Sequence, residues 1–182
     1  MQQTIQNEGT ISGKGLMFGE PVTLTLKPAP ANHGVVFRRT DLPTTPDIQV
    51  CPENYATVIP RCTSVRHGNV VVNSVEHILS ALAGLGIDNV SIDIDASEPP
   101  ALDGSALPYV DVIKEAGIAQ QDAPRSFIEL AEPFAIYETD RQIVLLPSDS
   151  FQLSFVYDHP QIPAQVGTFT IDPETYAREL AP

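Results

Sequence analysis

Tryptophan is absent, cysteine occurs twice, and only ten lysines and arginines stand against 23 aspartates and glutamates. The resulting net charge of -13 excludes binding modes that neutralise a phosphate backbone or an anionic lipid surface. Nucleic acid and membrane surfaces are therefore not expected partners. The two cysteines, Cys51 and Cys62, lack C-x-x-C spacing, which excludes a zinc ribbon and a multi-bridge secreted module. Both are expected to be ordinary thiols in a reducing compartment. The first eight residues lack the basic and apolar regions of a signal peptide, and no apolar run reaches the ~18–20 residues of a membrane span. A cytoplasmic protein without a transmembrane segment is the expectation. A G-x-S-x-G nucleophile elbow and an H-E-x-x-H helix are also missing. So is a phosphate loop, because the stretch from Ser12 to Leu16 reads as a glycine-punctuated turn without the G-x-x-x-x-G-K-[ST] pattern and without a helix immediately behind it.

What is present fits a folded protein: 182 residues, 42% hydrophobic and 18% charged. Period-two alternation from Pro21 to Leu26 predicts a strand, and the runs from Gly34 to Arg39 and Gly68 to Val72 predict others. A strand from Asn89 to Asp95 would bury Val90, Ile92 and Ile94 and wet Ser91, Asp93 and Asp95. A second helix is expected through Leu107, Val110 and Ile113, ending at Gly117. Strands followed by helix, strand and helix predict an α+β fold, a two-layer sandwich with helices on one face of a sheet, over residues 1–122. The polar stretch from Gln120 to Pro124 marks a boundary. Residues 123–182 are expected to be the β-rich start of a second domain of similar architecture, cut short, with strands beginning near Phe127, Phe134, Gln142 and Phe151 and a capped helix start at Asp172.

The segment from Asn73 to Gly86 carries the most chemistry. At ~100° per residue, Val75, Ile78, Leu79, Leu82 and Leu85 share one helix face, and Glu76, His77, Ser80 and Gly84 share the other. Glu76 and His77 thus point away from their own core, toward solvent or a second layer of protein. Two readings stay open at this level. Asn73 and Glu76 have capping-box spacing, which would make the carboxylate a helix-end device and His77 a solvated imidazole. Alternatively, the pair is an acid/base group beside a metal ligand. His33, His67 and His159 read as turn residues, since none has a short metal spacing to His77. Asp93, Asp95 and Glu98 read as a solvated strand face, lacking the glycine and terminal Glu of a calcium loop. Arg38, Arg39 and Arg61 are available to an anion but read as solvated surface.

Several ordered segments resemble the zinc-dependent UDP-3-O-acyl-N-acetylglucosamine deacetylases of lipid A biosynthesis: the run from Val75 to Asn89, Leu102-Asp103-Gly104-Ser105-Ala106 with Pro108-Tyr109-Val110, and the run from Val35 to Leu42. Asp158-His159-Pro160 and Gly167-Thr168-Phe169 are similar to the start of that family's second domain. The resemblance implies a Zn2+ cofactor held in part by His77, with Glu76 as the general base and a UDP-sugar lipid precursor as substrate. It also implies further zinc ligands and a proton-donating histidine beyond residue 182, so the 182-residue chain alone is expected to be inactive. One departure concerns the glycine-rich turn, where the family commonly has G-x-G-L-H and this chain has Gly13-Lys14-Gly15-Leu16-Met17. The alternative expectation is a non-catalytic, deacetylase-like interaction module with exposed strand edges.

Overall fold

The structure, a computed structural model, describes residues 1–44 and 46–182. The first part of the chain supplies β1 (Gln3–Ile5), β2 (Gly9–Lys14), β3 (Pro21–Pro28), β4 (Val35–Arg39), β5 (Ile48–Gln49), β6 (Tyr55–Ala56), β7 (Ser64–His67) and β8 (Val70–Val72). Helix α1 (Glu76–Leu85), β9 (Val90–Ile94), helix α2 (Leu107–Ala116) and β10 (Ile118–Gln120) follow. The remainder holds β11 (Phe134–Tyr137), β12 (Gln142–Leu145), β13 (Gln152–His159), β14 (Ile162–Thr170) and α3 (Pro173–Thr175), which widens into a π-type turn over Tyr176–Leu180.

Alternation builds the central sheet. Val22, Leu24 and Leu26 of β3 and Val90, Ile92 and Ile94 of β9 are buried on one face, as a period of two requires. The five strands run in the order β2-β3-β9-β4-β5, all neighbours antiparallel except β4 and β9, which are parallel. That parallel pair needs a crossover, and the segment from β5 through α1 provides it. Helix α1 lays Ile78, Ala81, Leu82 and Leu85 against the sheet, and α2 adds Tyr109, Val110, Ile113 and Ala116 to the same core. The result is the α+β two-layer arrangement expected from the patterning. A separate antiparallel sheet β6-β7-β8 leads into α1, and β1 pairs with β10.

Local expectations fared unevenly. Gly86 ends α1 at φ 73° and ψ 30°, and Asp172 caps α3 by accepting the Glu174 and Thr175 backbone N–H groups at 2.9 and 2.8 Å. The turn expected from Ser12 to Leu16 is instead largely strand, because β2 continues to Lys14 in register with Pro21. No strand forms at Phe127.

Hairpins β11-β12 and β13-β14 project apolar side chains into solvent; Tyr137 is 69% exposed and Val156 and Val166 are each 72% exposed. The chain then returns to the first layer. Tyr176, Ala177 and Ala181 join the core of residues 1–122, and the Ala106 N–H donates to the Ala181 carbonyl at 2.9 Å.

Candidate functional site

Helix α1 begins at Glu76, so the carboxylate and the adjacent imidazole occupy its first turn. A negative charge there is favoured by the unpaired N–H groups and the helix dipole. The expected capping box does not form. The residue before the helix is Val75, with no side-chain cap, and Asn73 is buried with its side chain turned elsewhere. Its Oδ1 accepts from the Ser64 hydroxyl at 2.8 Å, and its amide nitrogen donates to the Ser97 carbonyl at 3.4 Å. Ser74 adopts a left-handed φ of 53°, which breaks the backbone path a capping box would need. Glu76 reaches across to the preceding strand segment instead, where its Oε2 accepts the Thr63 N–H at 3.0 Å.

The outer face of α1 meets both surroundings that its pattern allowed. Toward the C-terminal end it is covered by protein: Tyr176 lies on Gly84, and its hydroxyl is 2.7 Å from the Ser80 hydroxyl. Burial pushes the Tyr176 phenol above its ordinary pKa, and the Ser80 bond opposes that shift. Toward the N-terminal end the face opens into a pocket of about 360 Å³ lined by Glu76, His77, Ser80 and residues 104–106 and 180–182. Asp103 stands at this edge. The Ser105 N–H and hydroxyl, both at 2.9 Å, hold its carboxyl below the usual range, with a smaller contribution from the charge of His77.

The other sequence candidates are not gathered here. The His33 Nε2 is 3.0 Å from the Ser91 hydroxyl, the His67 Nδ1 is 3.0 Å from the Asp47 carbonyl, and the His159 Nδ1 accepts the Gln161 N–H at 3.2 Å. Arg38 and Arg39 make two-point contacts with Asp47 and Asp41, so each guanidinium already faces a carboxylate, while Arg61 is exposed. Cys51 and Cys62 are both free thiols. The Cys62 Sγ accepts the Ser74 N–H at 2.9 Å.

Three contributors were missed by sequence reasoning: Thr63, Asp103 in its local turn, and above all Glu98. Expected on a wet strand face, Glu98 is only 1% exposed. Its partners lie 24, 80 and 81 residues away in the chain, so no local spacing could have flagged it. Only the Asp103-Gly104-Ser105 turn carried a local signal.

Among the described residues no three His, Cys, Asp or Glu side chains are grouped to hold a metal ion. A catalytic zinc takes three protein ligands and one open position, and His77 could supply one of the three.

The family model described as LpxC, UDP-3-O-acyl N-acetylglycosamine deacetylase, matches residues 2–182. The chain is 43% identical to the UDP-3-O-acyl-N-acetylglucosamine deacetylase of Marinobacter nauticus over 94% of its own length and 57% of that protein. It has the same identity and coverage with the protein of that name from Pseudomonas entomophila. With the one from Stenotrophomonas maltophilia it is 38% identical over 99% of its own length and 60% of the relative. The chain thus spans somewhat under two thirds of the curated relatives it matches.

Proposed function

The chain belongs to the UDP-3-O-acyl N-acetylglycosamine deacetylase family, and from that membership we propose that it supplies the Glu76–His77 part of a site that hydrolyses the N-acetyl group of UDP-3-O-acyl-N-acetylglucosamine. The reaction would be the committed step of lipid A biosynthesis, carried out in the cytoplasm. In it water adds to the acetyl carbonyl, the C–N bond breaks, and acetate and a free sugar amine leave.

The supporting observation is the division of the outer face of α1. Tyr176 covers its C-terminal part, while Glu76 and His77 side by side open onto a pocket of about 360 Å³. The Thr63 N–H fixes one oxygen of Glu76 and leaves the other able to take a proton from an attacking water. His77 would be one ligand of a zinc ion whose other ligands come from outside residues 1–182; zinc supplies Lewis acidity and acidifies bound water when present. Residues 1–122 would form one unit and residues 123–182 would belong to a second. No helix among the described residues is long and apolar enough to cross a membrane. No observation favours the alternative of a non-catalytic interaction module.

A chimaera tests the reading, with residues 1–182 replacing the matched part of the Marinobacter nauticus relative. Glu76→Gln should lower turnover by ~10²–10⁴-fold, the usual worth of a general base, with zinc content unchanged. Undiminished turnover in that variant would remove Glu76 from the mechanism.

A further inference from the structure

The least accessible carboxylate of the chain is not in the pocket. Glu98 is 1% exposed, and every group around its carboxylate that makes a hydrogen bond is a donor. The Met17 N–H lies 3.0 and 3.1 Å from its two oxygens, the Phe18 N–H 2.8 Å from Oε1, and the Ser74 hydroxyl 3.2 Å from Oε2. Burying a carboxylate is tolerable only with such compensation. The loop approaches closely enough that position 15 must lack a side chain: a Cβ on Gly15 would lie 2.0 Å from Glu98 Oε1.

We propose that Glu98 is a positioning residue for the Glu76–His77 turn, holding the Gly15–Phe18 loop and the entry to α1 at one carboxylate. The inference rests on the functional reading above for its importance and on geometry alone for its substance. Met17 and Ser74 meet at the same oxygen, Oε2. Ser74 is buried and held at a left-handed φ of 53°, a conformation that persists only where the surroundings fix it. Its own N–H is taken by the Cys62 sulfur at 2.9 Å. From there the connections run directly to the site: the Val75 N–H donates to the Thr63 carbonyl at 3.1 Å, and the Thr63 N–H donates to Glu76 at 3.0 Å. Glu98 therefore sets where Ser74 sits, Ser74 sets where α1 starts, and the start of α1 sets the direction of Glu76 and His77. A carboxylate suits this place better than an amide, because an all-donor pocket has no acceptor for the two hydrogens glutamine would bring.

Nuclear magnetic resonance on the 182-residue chain tests this through Glu98→Gln, which preserves shape. Exchange of the Met17 and Phe18 amides should quicken at least tenfold, the Thr63 amide should quicken with them, and the resonances of Ser74, Glu76 and His77 should move. Ser74→Ala separates the two connections. It should move the Ser74–His77 resonances and free the Thr63 amide while Met17 and Phe18 stay protected, and the double variant should displace His77 no further than Glu98→Gln alone. A purely stabilising Glu98 would lower Tm and leave the Thr63, Glu76 and His77 signals in place; that result, or unmoved signals in Ser74→Ala, overturns the proposal. If Glu98→Gln does not fold, Ser74→Ala decides alone. Because no turnover is measured, failure here leaves the role of Glu76 standing, and loss of that role in the chimaera leaves this test intact.

Discussion

Replacing Gly84 by alanine should weaken this protein, although helix propensity alone says the reverse. In an exposed helix interior alanine gains up to ~1 kcal/mol over glycine. Here a Cβ on Gly84 would lie 2.3 Å from both Cγ and Cδ1 of Tyr176 and 2.5 Å from Cδ2, far inside van der Waals contact. The ring cannot flex as a lysine would, so Tyr176 must leave its seat. It is 5% exposed, and losing most of that burial costs about 2 kcal/mol. The bond to the Ser80 hydroxyl at 2.7 Å goes with it, at about 1 kcal/mol. Against the propensity gain, the net loss is about 2 kcal/mol, which for a chain of this length corresponds to a fall in Tm of about 4–8 °C. Scanning calorimetry measures the fall, and limited trypsin digestion locates it, since the segment carrying the exposed Arg178 should become cleavable first. In a Tyr176→Ala background the sign should invert and Gly84→Ala should stabilise, giving a coupling of about 3 kcal/mol. An unchanged or raised Tm for Gly84→Ala alone would refute the seating of Tyr176 on α1.

Two further outcomes are expected. The Tyr109 hydroxyl donates to the Pro100 carbonyl at 2.5 Å, and burial raises its pKa. An unfolded phenol titrates near ~10. Since the folded value is higher, the neutral phenol's contribution is complete below about pH 10 and is lost as pH rises toward the folded value. Tyr109→Phe should therefore cost about 1 kcal/mol at neutral pH and flatten the alkaline fall in stability; parallel urea-unfolding profiles between pH 8 and 11 would contradict this. The 182-residue chain should bind zinc too weakly for a stoichiometric complex at micromolar concentration, as calorimetric titration can show. Tight one-to-one binding would mean that the donor set around His77 is larger than one imidazole.

Elements whose identity depends on neighbouring residues were legible in the sequence. The buried stripe of α1, the stop at Gly86, the alternation in β9 and the cap at Asp172 all follow from side chains a few positions apart. Asn73 shows where local spacing misleads. Its distance to Glu76 suited a capping box, but burial beside Ser64 and Ser97 engaged its side chain elsewhere and delayed the helix start. The pocket was half legible: periodicity placed Glu76 and His77 on the outward face, yet which part of that face is covered depends on Tyr176, nearly a hundred residues later. Glu98 was illegible for the same reason, because an acidic residue before two prolines looks like a wet loop until the Met17 and Phe18 amides are brought to it.

The pairing of β1 with β10 has a consequence for biosynthesis. Ile5 faces Ile118 across that ladder and is only 1% exposed once it forms. With chain growth at about 5–20 residues per second, roughly 6 to 23 s separate the emergence of the two partners. During that interval Ile5 lacks its cross-strand partner, while the residues around it are polar. Pairing of Gln3–Ile5 with Ile118–Gln120 is thus among the last steps of folding for residues 1–122, and the cover over Ile5 is completed only when the end of that unit has been made.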